Sequence, residues 1–146
     1  MTTPKPVIDR MLGYLVVEAD NDDVDLWSVV RMAQTVQPGA SVEAIRQAVL
    51  DVIDHAVSND LVWPNWPPTT DPRYFHYHPW VGPIDELLQH ICQEWDALGR
   101  EPNPGEVIWF KTPAVANFHQ QEAAKTDAAR RATTDSRLRS PTEAES

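Results

Sequence analysis

The feature that most constrains this chain is the apolar stripe between Val42 and Val57. Val42, Ile45, Val49, Val52, Ile53, Ala56 and Val57 recur at steps of three and four, the spacing that places side chains on one face of an α-helix. Ser41 stands at the N-cap position, where its hydroxyl can accept from an N–H of the first turn. Pro38-Gly39 breaks the chain just before it, and Glu43 suits the positive end of the helix. The outward face carries Glu43, Arg46, Gln47, Asp51, Asp54 and His55. Ser58-Asn59-Asp60 should end the helix, since all three residue types favour caps and turns.

Leu61-Val62-Trp63-Pro64-Asn65-Trp66 follows and reads as a strand, because β-branched and aromatic residues favour a pleated, half-buried surface. Pro64 cannot donate to a ladder, so this is an edge strand or a strand interrupted by a bulge. Pro67, Pro68 and Pro72 hold an extended loop tip with Thr69, Thr70 and Asp71. Tyr74-Phe75-His76-Tyr77-His78 alternates and reads as the returning strand, ended by Pro79.

Two helical patterns precede this stretch. Val7–Ala19 carries Ile8, Met11, Leu12 and Leu15 on its stripe, with Pro6 suited to the first helical position. Val24–Val36 carries Leu26, Trp27, Val29, Val30, Ala33 and Val36, which places Trp27 in the core. The acidic turn Asp20-Asn21-Asp22-Asp23 lies between them, and its last residues can cap the second helix. After the stretch, Ile84–Leu98 is a further amphipathic helix. Pro83 suits its first position, Asp85 and Glu86 its first turn, and Gly99 its stop. Val107-Ile108-Trp109-Phe110 is a short apolar strand that can add to the same sheet. Thr112-Pro113 starts a last helix, which Ala114, Val115 and Phe118 can dock. Beyond Phe118 the only large apolar residue is Leu138, so 119–131 reads as a solvated helix and 132–146 as disordered.

The expected fold is α+β and winged-helix-like. It has three to five helices and a small antiparallel β-hairpin or three-stranded sheet. One domain spans residues 1–118, and 119–146 form the solvated helix and tail. The pair of helices joined at Pro38-Gly39 resembles a helix-turn-helix, as any helical hairpin would.

Charge narrows the function. The net charge is −10 and is unevenly placed: residues 1–60 hold ten acidic and four basic residues, 61–112 seven and three, and 113–146 five of each. The folded part therefore carries the whole excess. Such a field repels phosphates and attracts basic partners, so nucleic acid is not the expected ligand. No apolar run approaches the ~20 residues of a membrane span. Cys92 is alone, so no internal disulfide framework exists. A cytoplasmic protein without a membrane partner is expected.

Candidate chemistry is sparse. Asp20, Asp22, Asp23 and Asp25 invite a calcium loop, but the mid-loop glycine is missing and Arg31 stands where the twelfth-position glutamate belongs. His76 and His78 share a strand face, yet they read as surface aromatics of a wing. His90 and Cys92, two apart on a helix, diverge. Cys92 sits near the stripe as a small buried hydrophobe. No metal or cofactor is implied. No nucleophile elbow, phosphate loop, H-E-x-x-H or C-x-x-C occurs, so no enzyme activity is expected. What stands out is the ring density of Trp63, Trp66, Tyr74, Phe75, Tyr77 and Trp80. Trp63, Trp66, Tyr74 and Tyr77, with Asp71 at the rim, form the candidate partner-binding surface. The competing reading packs the same rings onto the loop prolines.

In general character the chain resembles the small immunity or antitoxin proteins of bacteria. Its helix, loop, helix and closing Pro104-Gly105-Glu106-Val107-Ile108-Trp109-Phe110 strand are similar to an uncharacterised family linked to such systems, over roughly residues 24–112. The resemblance implies a non-enzymatic protein-binding module that sequesters a basic partner, and it carries over no functional residue. The second class is a winged-helix DNA-binding regulator. It is favoured by the order of elements and opposed by the charges, since Arg46 faces Glu43, Asp51 and Asp54 and the wing loop has only Arg73. Such a regulator would rely on Arg130, Arg131, Arg137 and Arg139 of the tail.

Overall fold

A computed structural model describes residues 2–67 and 78–139. Among these the order is α1 (Lys5–Asn21), β1 (Val24–Asp25), α2 (Leu26–Val36), α3 (Val42–Ser58), β2 (Trp63–Asn65), α4 (Ile84–Leu98), β3 (Trp109–Lys111) and α5 (Pro113–Arg139). The architecture is α+β. Helices α1, α2 and α3 pack on one another, α4 lies against α3, and the strands form an antiparallel sheet in the order β1-β3-β2. Among the described residues no helix is long and apolar enough to cross a membrane.

The α3 stripe faces inward from Ile45 to Ala56, with Ile45, Val49, Val52 and Ile53 all buried, while Val42 in the first turn is 71% exposed and Val57 is half-buried. Ser41 caps it as expected, accepting from Ala44 N at 3.1 Å. At the other end Asp60 N donates to Val57 O and Leu61 N to Ala56 O, which satisfies the last carbonyls. Asp60 takes the left-handed conformation this closure requires, with φ 55°. Met11 and Leu15 from α1, Val29 and Val30 from α2, and Leu87 and Ile91 from α4 meet the stripe, each at most 2% exposed. Leu88, on the same sequence stripe as Leu87, is only half-buried. Trp27 is also half-buried: it lines a cleft between α1 and α2, with the Arg31 guanidinium 5.4 Å above its ring.

The sheet is three-stranded and antiparallel, and on the outer edge of β2 Asn65 also bridges antiparallel to Pro79, where the returning strand is expected. Strand β2 pairs with β3, on the far side of α4, in the register Trp63↔Lys111, Pro64↔Phe110 and Asn65↔Trp109. Strand β1 pairs with the other edge of β3, with Val24 opposite Phe110. Phe110 is fully buried at the centre. Of the expected returning strand, 74–77 lie outside the described residues. His78 O accepts from Trp66 N at 2.8 Å, and Trp80 N donates to Pro64 O at 3.0 Å. Residues 64 and 66 thus turn their backbone polar groups toward 78–80. The N–H that Pro64 lacks belongs to that outer seam and not to the ladder with β3, which is why the proline is tolerated.

The acidic turn is structural. Asp25, two residues past the expected cap, caps α2 by accepting from Ser28 N at 2.9 Å, and its other oxygen accepts from Gly105 N at 2.6 Å. Asp20 accepts from Thr112 Oγ1, and Asp23 pairs with Lys111. Val24 and Asp25 are a strand and not the start of α2, because their backbone is drawn into the ladder with β3. Other boundaries also move. Pro83 is the N-cap of α4 and not its first residue, and α1 runs to Asn21. Gly99 stops α4 in the left-handed conformation, as expected. Helix α5 starts at Pro113 but continues past residue 131 to Arg139. Ala116 docks it, while Phe118 is 58% exposed.

Candidate functional site

The expected binding surface is centred on β2. Trp63 and Trp66 are both half-buried; Asp71, Tyr74 and Tyr77 lie outside the described residues. Trp66 leaves the strand toward α4 and meets the His90 ring edge-on, with centroids 4.8 Å apart. The His78 ring lies 6.3 Å from it at a tilt. Trp80 is half-buried and packs against the core. Gly82 makes room for it, since a Cβ there would lie 2.6 Å from the Trp80 ring. Part of the ring excess is therefore packing: Trp66 bridges the sheet edge to α4, and Trp80 lies under the 81–83 turn. Asn65, 2% exposed between the two tryptophans, donates to Trp63 O at 3.1 Å.

His90 and Cys92 diverge on α4, as their spacing requires. His90 faces Trp66. Cys92 is half-exposed and not the buried hydrophobe expected of it; its carbonyl accepts from Arg46 Nη2 at 3.4 Å. Among the described residues no group of three or more His, Cys, Asp or Glu is placed to hold a metal.

A second constellation joins α3 to α4 and was not legible as a site. Arg46 reaches across to Asp96, with Nη1 2.6 Å from Oδ1, and its guanidinium lies 5.1 Å above the Trp95 ring. The hydrogen bond to Asp96 is the main reason the Arg46 pKa is raised above its ordinary value. The same bond holds the Asp96 carboxyl below its own. Arg46 is the only Lys or Arg on α3. The two partners are 50 residues apart, and nothing in the local pattern signals their meeting. Nearby, Arg100 grips Glu106 with both terminal nitrogens, at 2.8 and 3.0 Å.

A third cluster lies where β3, the α1–β1 turn and α5 meet. Lys111 is 3% exposed. Its Nζ lies 2.6 Å from Asp23 Oδ1 and 2.8 Å from His119 Nδ1. Two carboxylates, a lysine and an imidazole here serve to fasten elements: Thr112, beside Lys111, donates through N to Ala19 O and through Oγ1 to Asp20.

No protein-family model, curated protein or solved structure matches the chain.

Proposed function

We propose that this protein is a non-enzymatic, cytoplasmic binding module. It would capture a basic protein partner through the acidic, aromatic-rich surface around Trp63, Trp66, Asp71, Tyr74 and Tyr77, in the manner of bacterial immunity or antitoxin proteins. The observation that carries this reading is the engagement of Arg46. It lies on the helix that would enter a DNA groove, and it is already paired with Asp96 and stacked on Trp95. The exposed residues of that helix include Glu43, Gln47 and Asp54, so it presents no unpaired guanidinium or ammonium to a phosphate. The half-buried Trp63 and Trp66 keep ring area at the surface, the kind of anchor a protein interface uses. The test is capture from source cells with the full chain as bait, beside Trp66→Ala and Asp71→Asn baits. A basic protein retained by the first and weakened by the others supports the module. A partner held equally by all three removes this surface from the account.

A winged-helix regulator is the second reading. It is supported by the chain order α1, β1, α2, α3, β2 and the sheet order β1-β3-β2, with α4 lying between β2 and β3 in the chain. Mixed-sequence duplex DNA discriminates the two. The module shows no mobility shift at physiological salt, whereas a regulator shows micromolar binding that weakens as salt rises.

A further inference from the structure

The outer face of α1 carries a shallow depression bordered by Asp9, Arg10, Gly13, Tyr14, Val17 and Glu18. Tyr14 is 46% and Val17 61% exposed, so two large apolar side chains of this face meet water. Gly13 lies beside them in mid-helix, where glycine is less stable than alanine. Its φ is not positive, and a Cβ there would meet nothing within 4 Å. Neither the backbone nor any contact within the molecule therefore requires a glycine. The missing side chain leaves a notch through which a ring or a second backbone can come close to the helix.

The charges of α1 are ordered against its own dipole. Lys5 and Arg10 lie in the N-terminal half, Glu18 and Asp20 in the C-terminal half, with no acidic residue in the first turn and no basic one in the last. A helix on its own is stabilised by the opposite order. Asp9 is taken up by Lys5 at 2.8 Å, and Asp20 accepts from Thr112 Oγ1. Arg10 and Glu18 are left, and neither side chain has a hydrogen bond or ion pair among the described residues. Arg31, across the cleft that Tyr14 and Glu18 also border, lies over the Trp27 ring and makes no ion pair with Glu18. Arg10 and Glu18 stand four residues either side of Tyr14. Turned end for end about Tyr14, the helix sets a basic residue where it had an acidic one.

We propose that this face of α1 is an interface between two copies of the chain. The two α1 helices run antiparallel across a two-fold axis beside Gly13 and Tyr14, so that the same patch serves both copies. Each Tyr14 ring covers the Gly13 notch of the other copy, with Val17 packed beside it, and Arg10 of each copy pairs with Glu18 of the other. Two acidic molecules can meet here because α1 holds two basic and three acidic residues, a net of −1 in a chain of −10. None of these residues belongs to the β2 surface, so the pairing stands or falls independently of the partner proposed above.

Sedimentation equilibrium of the full-length chain at physiological salt, from micromolar to about 1 mM, tests the pairing. The expected result is a reversible monomer–dimer equilibrium. Arg10→Glu and Glu18→Arg should each weaken it by at least about tenfold, because like charges then face each other at both ends of the contact. The double variant rebuilds the pair in reverse and should return close to the dissociation constant of the parent. Gly13→Leu should fill the notch and abolish the dimer, while its monomer melts no earlier than the parent, since the added side chain enters open space. A chain still monomeric at the top concentration overturns the proposal. So does a dimer indifferent to the charge reversals or to Gly13→Leu, which sets the interface elsewhere. A monomer that loses a captured partner on Gly13→Leu gives the face to that partner and overturns the self-pairing as well.

Discussion

Lys111 Nζ lies 2.6 Å from Asp23 Oδ1, with 4% of the lysine side chain and 15% of the aspartate side chain exposed. The pair ties the central strand to the α1–β1 turn, 88 residues away. Lys111→Met strips the carboxylate of its cation at a depth where water reaches it only in part. Stability in urea should fall by about 3 kcal/mol. Adding Asp23→Asn should recover part of that loss. A single variant as stable as the parent would show that solvent, and not Lys111, neutralises Asp23.

Asp25 serves two elements with one carboxylate. Asp25→Ala removes the cap on Ser28 N and the bond to Gly105 N together. A cap and a further hydrogen bond to a charged acceptor together make a loss of about 2 kcal/mol the expectation. Asp25→Asn, which keeps an oxygen acceptor, should lose less. Equal loss in both variants would mean that charge matters here and the acceptor does not.

Acid should loosen the loop after α4 before it reaches the core. The Glu106 carboxyl is lowered from 4.5 to about 2, first by the Arg100 hydrogen bond and then by the Asn103 N–H. Because the folded pKa is depressed, its contribution is fully present above pH 4.5 and is lost as pH falls toward 2. Asp96, lowered by Arg46, acts in the same direction. Glu106→Gln should therefore flatten the fall of the thermal midpoint across that window. Near neutral pH the variant should melt slightly below the parent, by a small amount because the pair is largely solvated, and the two should converge near pH 2, where the parent carboxyl is protonated. An unchanged acid slope in Glu106→Gln would place the acid sensitivity elsewhere.

Leu87 and Leu88 are neighbours on one apolar stripe but differ in depth. Leu87 is fully buried and Leu88 is not. Leu87→Ala should cost about 3 kcal/mol, and Leu88→Ala less than half of that. On α3, Ile53→Asp should leave no soluble folded protein, because it puts a charge at a site with no exposure. Reversal of the two leucines in urea melts would mean that α4 is rotated on α3.

Trp66→Ala should speed dissociation of the proposed partner, by a hot-spot amount of ~2 kcal/mol. Trp66 also packs on His90, so the melting temperature of the variant must be measured alongside. Asp71→Asn should instead slow association, and added salt should mask its effect. A Trp66→Ala variant that binds normally while melting early would make the ring a strut between β2 and α4 and nothing more.

The sequence by itself determined the helices. The stripes of α3 and α4, the Ser41 cap and the Gly99 stop are local signals, each complete within a few turns of backbone, and the chain follows them nearly to the residue. It also determined that α5 begins at Pro113. The tertiary structure alone decided the rest. A two-residue strand such as β1 has no period to read, and it exists because β3 draws Val24 and Asp25 into a ladder. Strand β2 meets 78–80 across one edge, as adjacency in sequence suggested, while its ladder with β3 spans an entire helix, and only the fold sets that register. Lys111 is buried because a strand turns alternate residues to opposite faces. The face away from Phe110 is covered by α5 and answered by Asp23. Arg46 reads as a solvated charge in the sequence, and only the crossing of α3 and α4 brings it to Asp96 and Trp95. Periodicity and capping are properties of neighbouring residues. Burial, pairing and the neutralisation of charge are properties of whatever the fold brings against them.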